Sequence, residues 1–265
     1  MTLLFRHLAE SFRKPDHWLY ASWLDVITKY RKNALGLFWI FFPPIVYIWG
    51  LGLFFRAIRG GITTDDAGFL AHMGFGFIVF RLMSTTIMDV GSSFSAYLPY
   101  IHEGHSRLTD YVLRPLARSV IYFLFAVPLL AIVLVGDAPV LASGVLWALL
   151  GLIAMLVNLF FYGTLLAFIG ARFPDVNQFF SNVMLALFLI TPIVWFAKDA
   201  PVGTVHGMLM RGNPFHHLLA VVRAPVLGES IEPMTYTYVG VMTLVGFVLA
   251  SVVYGRLAKR MPAWL

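Results

Sequence analysis

No cysteine occurs anywhere in the 265-residue chain. That absence excludes disulfides, cysteine-ligated zinc, iron–sulfur clusters and thiol nucleophiles, and leaves hydroxyl, carboxylate, imidazole and amine chemistry. Charge is scarce as well. Asp, Glu, Lys and Arg make up 12% of the residues, about half the share found in soluble domains, too little to coat the surface of a water-soluble protein of this size. Acids are scarcer than bases, 13 against 19, for a formal charge of +6. In a soluble chain that excess would point to nucleic acid; here, where 60% of the residues are hydrophobic and the mean hydropathy is +0.81, it marks the cytoplasmic side of a membrane protein, and no nucleic-acid partner is expected.

Charge-free runs long enough to cross a hydrocarbon core of about 30 Å occur at Ala34–Phe55, Ser119–Gly136, Ala138–Gly170, Gln178–Ala197 and Met234–Gly255. A sixth, Ala67–Met88, contains His72 and Arg81. Gly136, Asp137 and Pro139 give the turn signal that separates the third span from the fourth. The expected fold class is therefore an all-α polytopic membrane protein of six transmembrane helices: a tail at 1–33, a transmembrane domain at 34–255 and a short tail at 256–265. Thirteen of the nineteen Lys and Arg residues fall in the tails and the even-numbered loops, five on the opposite side, and Arg81 within a span. Both termini are thus expected in the cytoplasm. The first 33 residues show no apolar core of a cleavable leader, so the first span is expected to be its own insertion signal.

Three segments are neither span nor plain loop. Between Pro15 and Leu35, Leu19, Trp23, Val26, Ile27 and Tyr30 share one helical face, predicting an amphipathic helix in the membrane interface. Asp16 can cap its start and Asp25 can pair with Lys29. Lys29, Arg31 and Lys32 then face lipid headgroups, either as a plain anchor or to meet an anionic lipid substrate. The segment 97–118 is too polar to cross and too long for a hairpin. Its His102, Glu103 and His105 have the wrong spacing for a zinc-protease motif, so no metal site is expected; a helix that docks another protein and a solvated loop are the readings left. In 198–233, Asn213 and Pro214 can open a helix that Pro225 ends. Being too short to span, it reads as re-entrant or interfacial, with His216 and Arg223 on its polar face.

The spans hold almost no acids, and no aspartate-rich pair, nucleophile elbow or Walker A run occurs. ATP hydrolysis by this chain, and enzymatic activity generally, are not expected. Arg81 can snorkel, pair with Asp89 or touch a substrate. Aromatics are what the first span does contain, eight between Phe38 and Phe55. They suit either packing against lipid or a lining that stacks on sugar rings, and Pro43 and Pro44 should kink this helix at mid-depth.

The basic helix running into TKYRKNALGLFWIFFPP, then ARFPDVNQFF, LFLITPIVW and NPFHHLLAVVRAPVLGE, resembles the permease subunit of polysaccharide-exporting ABC transporters of the ABC-2 type. It is most similar to O-antigen exporter permeases of the Wzm type, with capsule and teichoic acid exporter permeases as relatives; the resemblance spans about Leu19 to Lys259. It implies an ABC-2 exporter fold and a homodimer in the bacterial inner membrane. Two separate nucleotide-binding subunits would bind ATP and Mg, so no cofactor is implied in this chain, and the substrate would be a lipid-linked polysaccharide. It further implies a channel framed by the first and fifth spans, hence by Phe38, Trp39, Phe42, Tyr47, Trp49, Phe180, Phe188 and Trp195. The ATPase would dock on His102, Glu103, His105 and Arg107, and external gate helices would carry His216 and Arg223. The tail after Lys259 is shorter than the family leads one to expect. An ABC-2 permease for a drug or lipid and a polytopic glycan-modifying transferase are the alternatives.

Overall fold

The computed structural model describes residues 2–58, 68–104, 106–137, 141–261 and 264, and among them every regular element is a helix. Arg59, Ala67, His105 and the Ala138–Pro139 part of the expected third turn lie outside the described residues. Among the described residues, helices Phe69–Gly91 (α5), Leu108–Asp137 (α8), Ala142–Arg172 (α9) and Pro233–Leu257 (α13) are the four long and apolar enough to cross a membrane.

The first and fifth expected spans form shorter elements. Instead of one helix from Ala34 to Phe55, a 3-10 turn at Gly36–Ile40 leads into α3 (Phe42–Ile45), a π-helical stretch at Val46–Leu51 and α4 (Gly52–Ile58). Pro43 and Pro44 do not kink a span at mid-depth. They sit in the first turn of α3, where a missing N–H costs nothing because that donor has no partner inside the helix. The irregular geometry falls one turn later, in the π segment. The fifth expected span is cut short likewise, α10 (Val176–Ile190) ending just before Thr191 and Pro192.

The tail before the first span holds two helices, not one. α1 (Leu3–Arg13) precedes the expected interface helix, which is α2 (Leu19–Tyr30). A single 3-10 turn at Pro15–His17 joins them, and Asp16 caps neither. α1 packs into the bundle through buried Leu4 and through hydrogen bonds between Ser11 Oγ and Thr109 Oγ1 (2.7 Å) and between His7 Nδ1 and Tyr254 Oη (2.8 Å). Short helices α6 (Ser93–Ala96) and α7 (Leu98–Glu103) follow α5. The expected third span starts eleven residues early: α8 begins at Leu108, so half of the 97–118 segment is the base of a long helix.

Helices α11 (Val205–Gly212) and α12 (Pro214–Leu227) form the region expected to be re-entrant. Asn213 caps α12, its Oδ1 accepting from the Phe215 N–H at 2.9 Å. Pro225 does not end the helix; the turn to positive φ at Gly228 does. α12 lies deep in the bundle against α5, α9 and α13, with His217, Leu219 and Val222 buried. It comes this close because α9 offers glycine. A Cβ at Gly151 would sit 2.3 Å from the Val221 carbonyl oxygen, and one at Gly144 1.7 Å from that of Pro225, distances at which backbone must move. Gly151→Ala should therefore lower the detergent-solubilised protein's thermal midpoint by the equivalent of about 1–3 kcal/mol. Gly240→Ala, which meets nothing within 4 Å, should leave it unchanged; equal midpoints for the two would rule out the close approach.

Candidate functional site

Helix α5 carries two clusters of charged side chains, one at each end. About seventeen residues separate them, roughly 25 Å at the helical rise.

At the first end, Arg223 of α12 is 2% exposed and His72 of α5 is 1% exposed. Arg223 Nε donates to Glu229 Oε2 at 3.1 Å, and Nη1 donates to the Pro192 carbonyl at 2.7 Å. The chain break after α10 makes that carbonyl available. Residue 192 lies outside any helix, so its C=O seeks an external donor. His72 Nε2 donates to the Trp195 carbonyl at 3.0 Å, while Nδ1 meets Glu229 Oε1 at 2.6 Å. One proton must lie in that last contact, since two lone pairs do not approach so closely. Gly76, one turn beyond His72, leaves room for the guanidinium: a Cβ there would be 2.9 Å from Arg223 Nη1. Burial pushes the Glu229 carboxyl up, but Arg223 and the His72 contact outweigh it and hold it down at about 2. A second pair sits beside the first, with Arg211 Nη2 donating to Glu232 Oε1 at 2.5 Å and Nη1 to the carbonyls of Ala200 and Gly207.

At the other end, Asp25 of α2 accepts two bonds from Arg114 of α8, from Nε at 2.8 Å and Nη2 at 2.5 Å. The Tyr97 hydroxyl donates to Asp25 at 3.2 Å, and the Arg114 guanidinium lies over the Tyr97 ring at 4.4 Å. Arg118 reaches Asp25 at 3.4 Å and Asp89 of α5 at 2.8 Å. Asp25 thus binds across to α8, not along α2 to Lys29, and Asp89 takes Arg118, not Arg81. Arg81 Nη1 donates to the Ile40 carbonyl at 3.3 Å instead. Bidentate arginine–carboxylate geometry makes this network a joint that fixes the angle between α2, α8 and α5.

The side chains singled out from sequence are distributed as follows. Tyr47 stacks on Phe77 at 3.9 Å and meets Phe188 edge-on at 6.0 Å, and Phe188 meets Phe80 at 5.3 Å. The first and fifth apolar segments are therefore joined through α5 by an aromatic seam. Trp49 and Phe180 are partly buried against the main hydrophobic core. Phe38, Trp39 and Phe42 are exposed, and Trp195 Nε1 donates to the Leu189 carbonyl. Arg31 and Lys32 are exposed beyond the end of α2, while Lys29 lies over the rings of Tyr30 and Tyr122. His102 and Glu103 are exposed on α7, whereas Arg107 is ion-paired with Glu10 of α1 at 2.5 Å and holds that carboxyl below its usual range. His216, like Arg223, is buried rather than on an exposed polar face. Among the described residues no three His, Asp or Glu side chains converge as metal ligands. Glu229, Arg114, Arg118 and Tyr97 have no site role in the sequence reading, which pairs Asp25 with Lys29 instead. Their signal was weak, because each sits in a polar segment where a solvated charge is the ordinary expectation.

The chain matches no protein-family model, and no curated relative matches it.

The arrangement at the α12 end makes a sharp energetic prediction. Glu229→Gln leaves Arg223 buried without its counter-charge and should cost about 3–5 kcal/mol, whereas Arg223→Met combined with Glu229→Gln should recover most of that loss. Because the folded state holds Glu229 at about 2 against an ordinary 4.5, its stabilisation is full above pH 4.5 and declines as the pH falls toward 2. Thermal midpoints of wild type and Glu229→Gln should therefore converge on acidification. A gap that widens with acid would contradict the assignment.

Proposed function

We propose that this chain is the membrane-spanning subunit of an ATP-driven exporter of the ABC-2 type, moving a lipid-linked polysaccharide of the O-antigen kind across the bacterial inner membrane. In this reading two copies form the channel and two separate ATPase subunits dock at the end where α2, α7 and the base of α8 meet. All six apolar segments lie in the membrane, both termini are cytoplasmic, and α11 and α12 face the far side.

The observation that carries the proposal is the order and character of the elements in one chain. An amphipathic helix leads into an aromatic-rich, irregular first segment. A short exposed helix with His102 and Glu103 lies at one end of the bundle, and a pair of helices too short to span, the first largely exposed and the second buried, lies at the other, just before the last long helix. That order is the one in the resembling exporters. The chemistry fits a passive conduit. The charges of the two clusters at the ends of α5 are paired within the fold, and the exposed face of the first segment is aromatic, a surface that stacks on sugar rings without fixing them.

The test is to isolate the tagged protein from its native membrane in mild detergent. The proposal predicts recovery of a nucleotide-binding subunit in equal number, and ATP-dependent accumulation of lipid-linked polysaccharide in inverted vesicles, abolished when that subunit is removed. Recovery without any ATPase, with transport or glycan modification unaffected by ATP depletion, would overturn it and favour a transferase.

A further inference from the structure

A groove of about 440 Å³ lies between α8 and α9 and is closed at one end by α1 and the start of α2. Its floor is Leu113, Leu116 and Ala117 of α8 with Phe160 and Phe161 of α9, all buried. Phe12, Leu19, Leu124 and Ile153 form an exposed rim. The lining carries no ionisable side chain, and the indole nitrogen of Trp18, its one polar side-chain group, is turned away to the Ser11 carbonyl at 2.9 Å. Nothing within the groove can bind a polar ligand, so its occupant must be hydrocarbon.

Size and shape specify which hydrocarbon. A dry apolar cavity of about 150 Å³ takes one benzene, six carbons, so this groove takes about eighteen. Leu113 to Leu124 run about 17 Å along α8, so the space is long and narrow. A single fatty acyl chain has that volume and that form. The closed end carries the charge. Arg13 and Lys14, both exposed, lie in the chain between the lining residues Phe12 and Trp18, with Arg6 exposed on the same helix and Asp16 as the nearby acid. The other acid of α1, Glu10, is engaged by Arg107. The end of the groove is therefore net basic, where a phosphate would sit above a chain lying between the helices.

We propose that this groove holds one acyl chain of an anionic phospholipid whose headgroup lies at Arg13 and Lys14, and that this resident lipid fastens the α1–α2 hairpin to the bundle. The groove is lined from α1, from Trp18, from Leu19 at the start of α2, and from α8 and α9. An occupant therefore adds apolar contacts between the hairpin and the bundle to those already made by buried Leu4 and by Val26 against Tyr122. The inference requires a bilayer but no transport activity, so it stands or falls apart from the export reading.

The test uses delipidated, detergent-solubilised protein to which palmitoyl-oleoyl phosphatidylglycerol or the matching phosphatidylcholine is added, followed by native mass spectrometry. Wild type should retain one phosphatidylglycerol at least tenfold better than phosphatidylcholine. Ala117→Phe, which fills the floor, should lose that retention. Leu124→Trp does the same from the exposed rim, where a larger side chain meets open space, and so carries the test if Ala117→Phe fails to fold. Arg13→Gln with Lys14→Gln should abolish the preference for phosphatidylglycerol while an acyl chain is still held. Equal retention of both lipids by wild type, or phosphatidylglycerol retention unchanged in folded Leu124→Trp, would overturn the proposal. So would a change of oligomeric mass in Leu124→Trp with lipid unaffected, which would show a second copy of the chain covering the groove.

Discussion

An arginine buried among apolar helices is the constraint on which one end of this molecule depends. Arg223 is 2% exposed, and a guanidinium so placed must be matched by both charge and hydrogen-bond acceptors. Each neighbouring feature supplies part of that match. Glu229 follows directly after Gly228, whose positive φ turns the chain back toward the helix it has just left. The end of α10 at Ile190 leaves the Pro192 carbonyl open to receive a donor. Gly76 supplies space, and His72 binds the second carboxylate oxygen. Sequence irregularities that look like interruptions of apolar segments are thus the parts of one binding arrangement for a side chain. Its consequence is mechanical. α12, too short to cross a membrane, is locked against α5 and the segment after α10, and α9 comes within backbone contact of it.

The opposite end of α5 obeys the same rule with less burial. Asp25, Arg114, Arg118 and Asp89 link the amphipathic helix α2 to the base of α8 and the end of α5, so a force on α2 or on the short helix α7 is transmitted to α5 through ionic contacts with defined direction. α5 therefore runs as a strut between two ionic joints, its middle packed on the aromatic seam of Tyr47, Phe77, Phe80 and Phe188. In an exporter, such a strut would connect the ATPase-docking end with the gate end.

Much of this architecture is legible in the sequence because hydrophobic length is a robust signal. The helices over Phe69–Gly91, Leu108–Asp137, Ala142–Arg172 and Pro233–Leu257 each cover all or most of a charge-free or nearly charge-free run. The periodicity of Leu19, Val26 and Tyr30 marks α2, and Asn213–Pro214 marks the start of α12. Boundaries fail where charge stops being a guide. α8 begins eleven residues before Ser119 because Arg114 and Arg118 are neutralised within the fold by Asp25 and Asp89 and so do not end the helix. α1 is missed because its Arg and Glu residues mask the repeat of Leu4, Leu8 and Phe12. The long-range pairs are invisible for a different reason. His72 and Glu229 are 157 positions apart, and no local pattern encodes which buried base will find which acid.

α12 is a buried, pinned element and not a loose surface hairpin. Amide hydrogen exchange across residues 205–231, read beside α9 in wild type and in Glu229→Gln, measures this directly. The structure predicts that wild-type α12 exchanges as slowly as the core of α9, and that Glu229→Gln accelerates α12 while α9 stays protected. Rapid exchange of α12 in the wild-type protein, at the rate of the loops that flank it, would contradict the account.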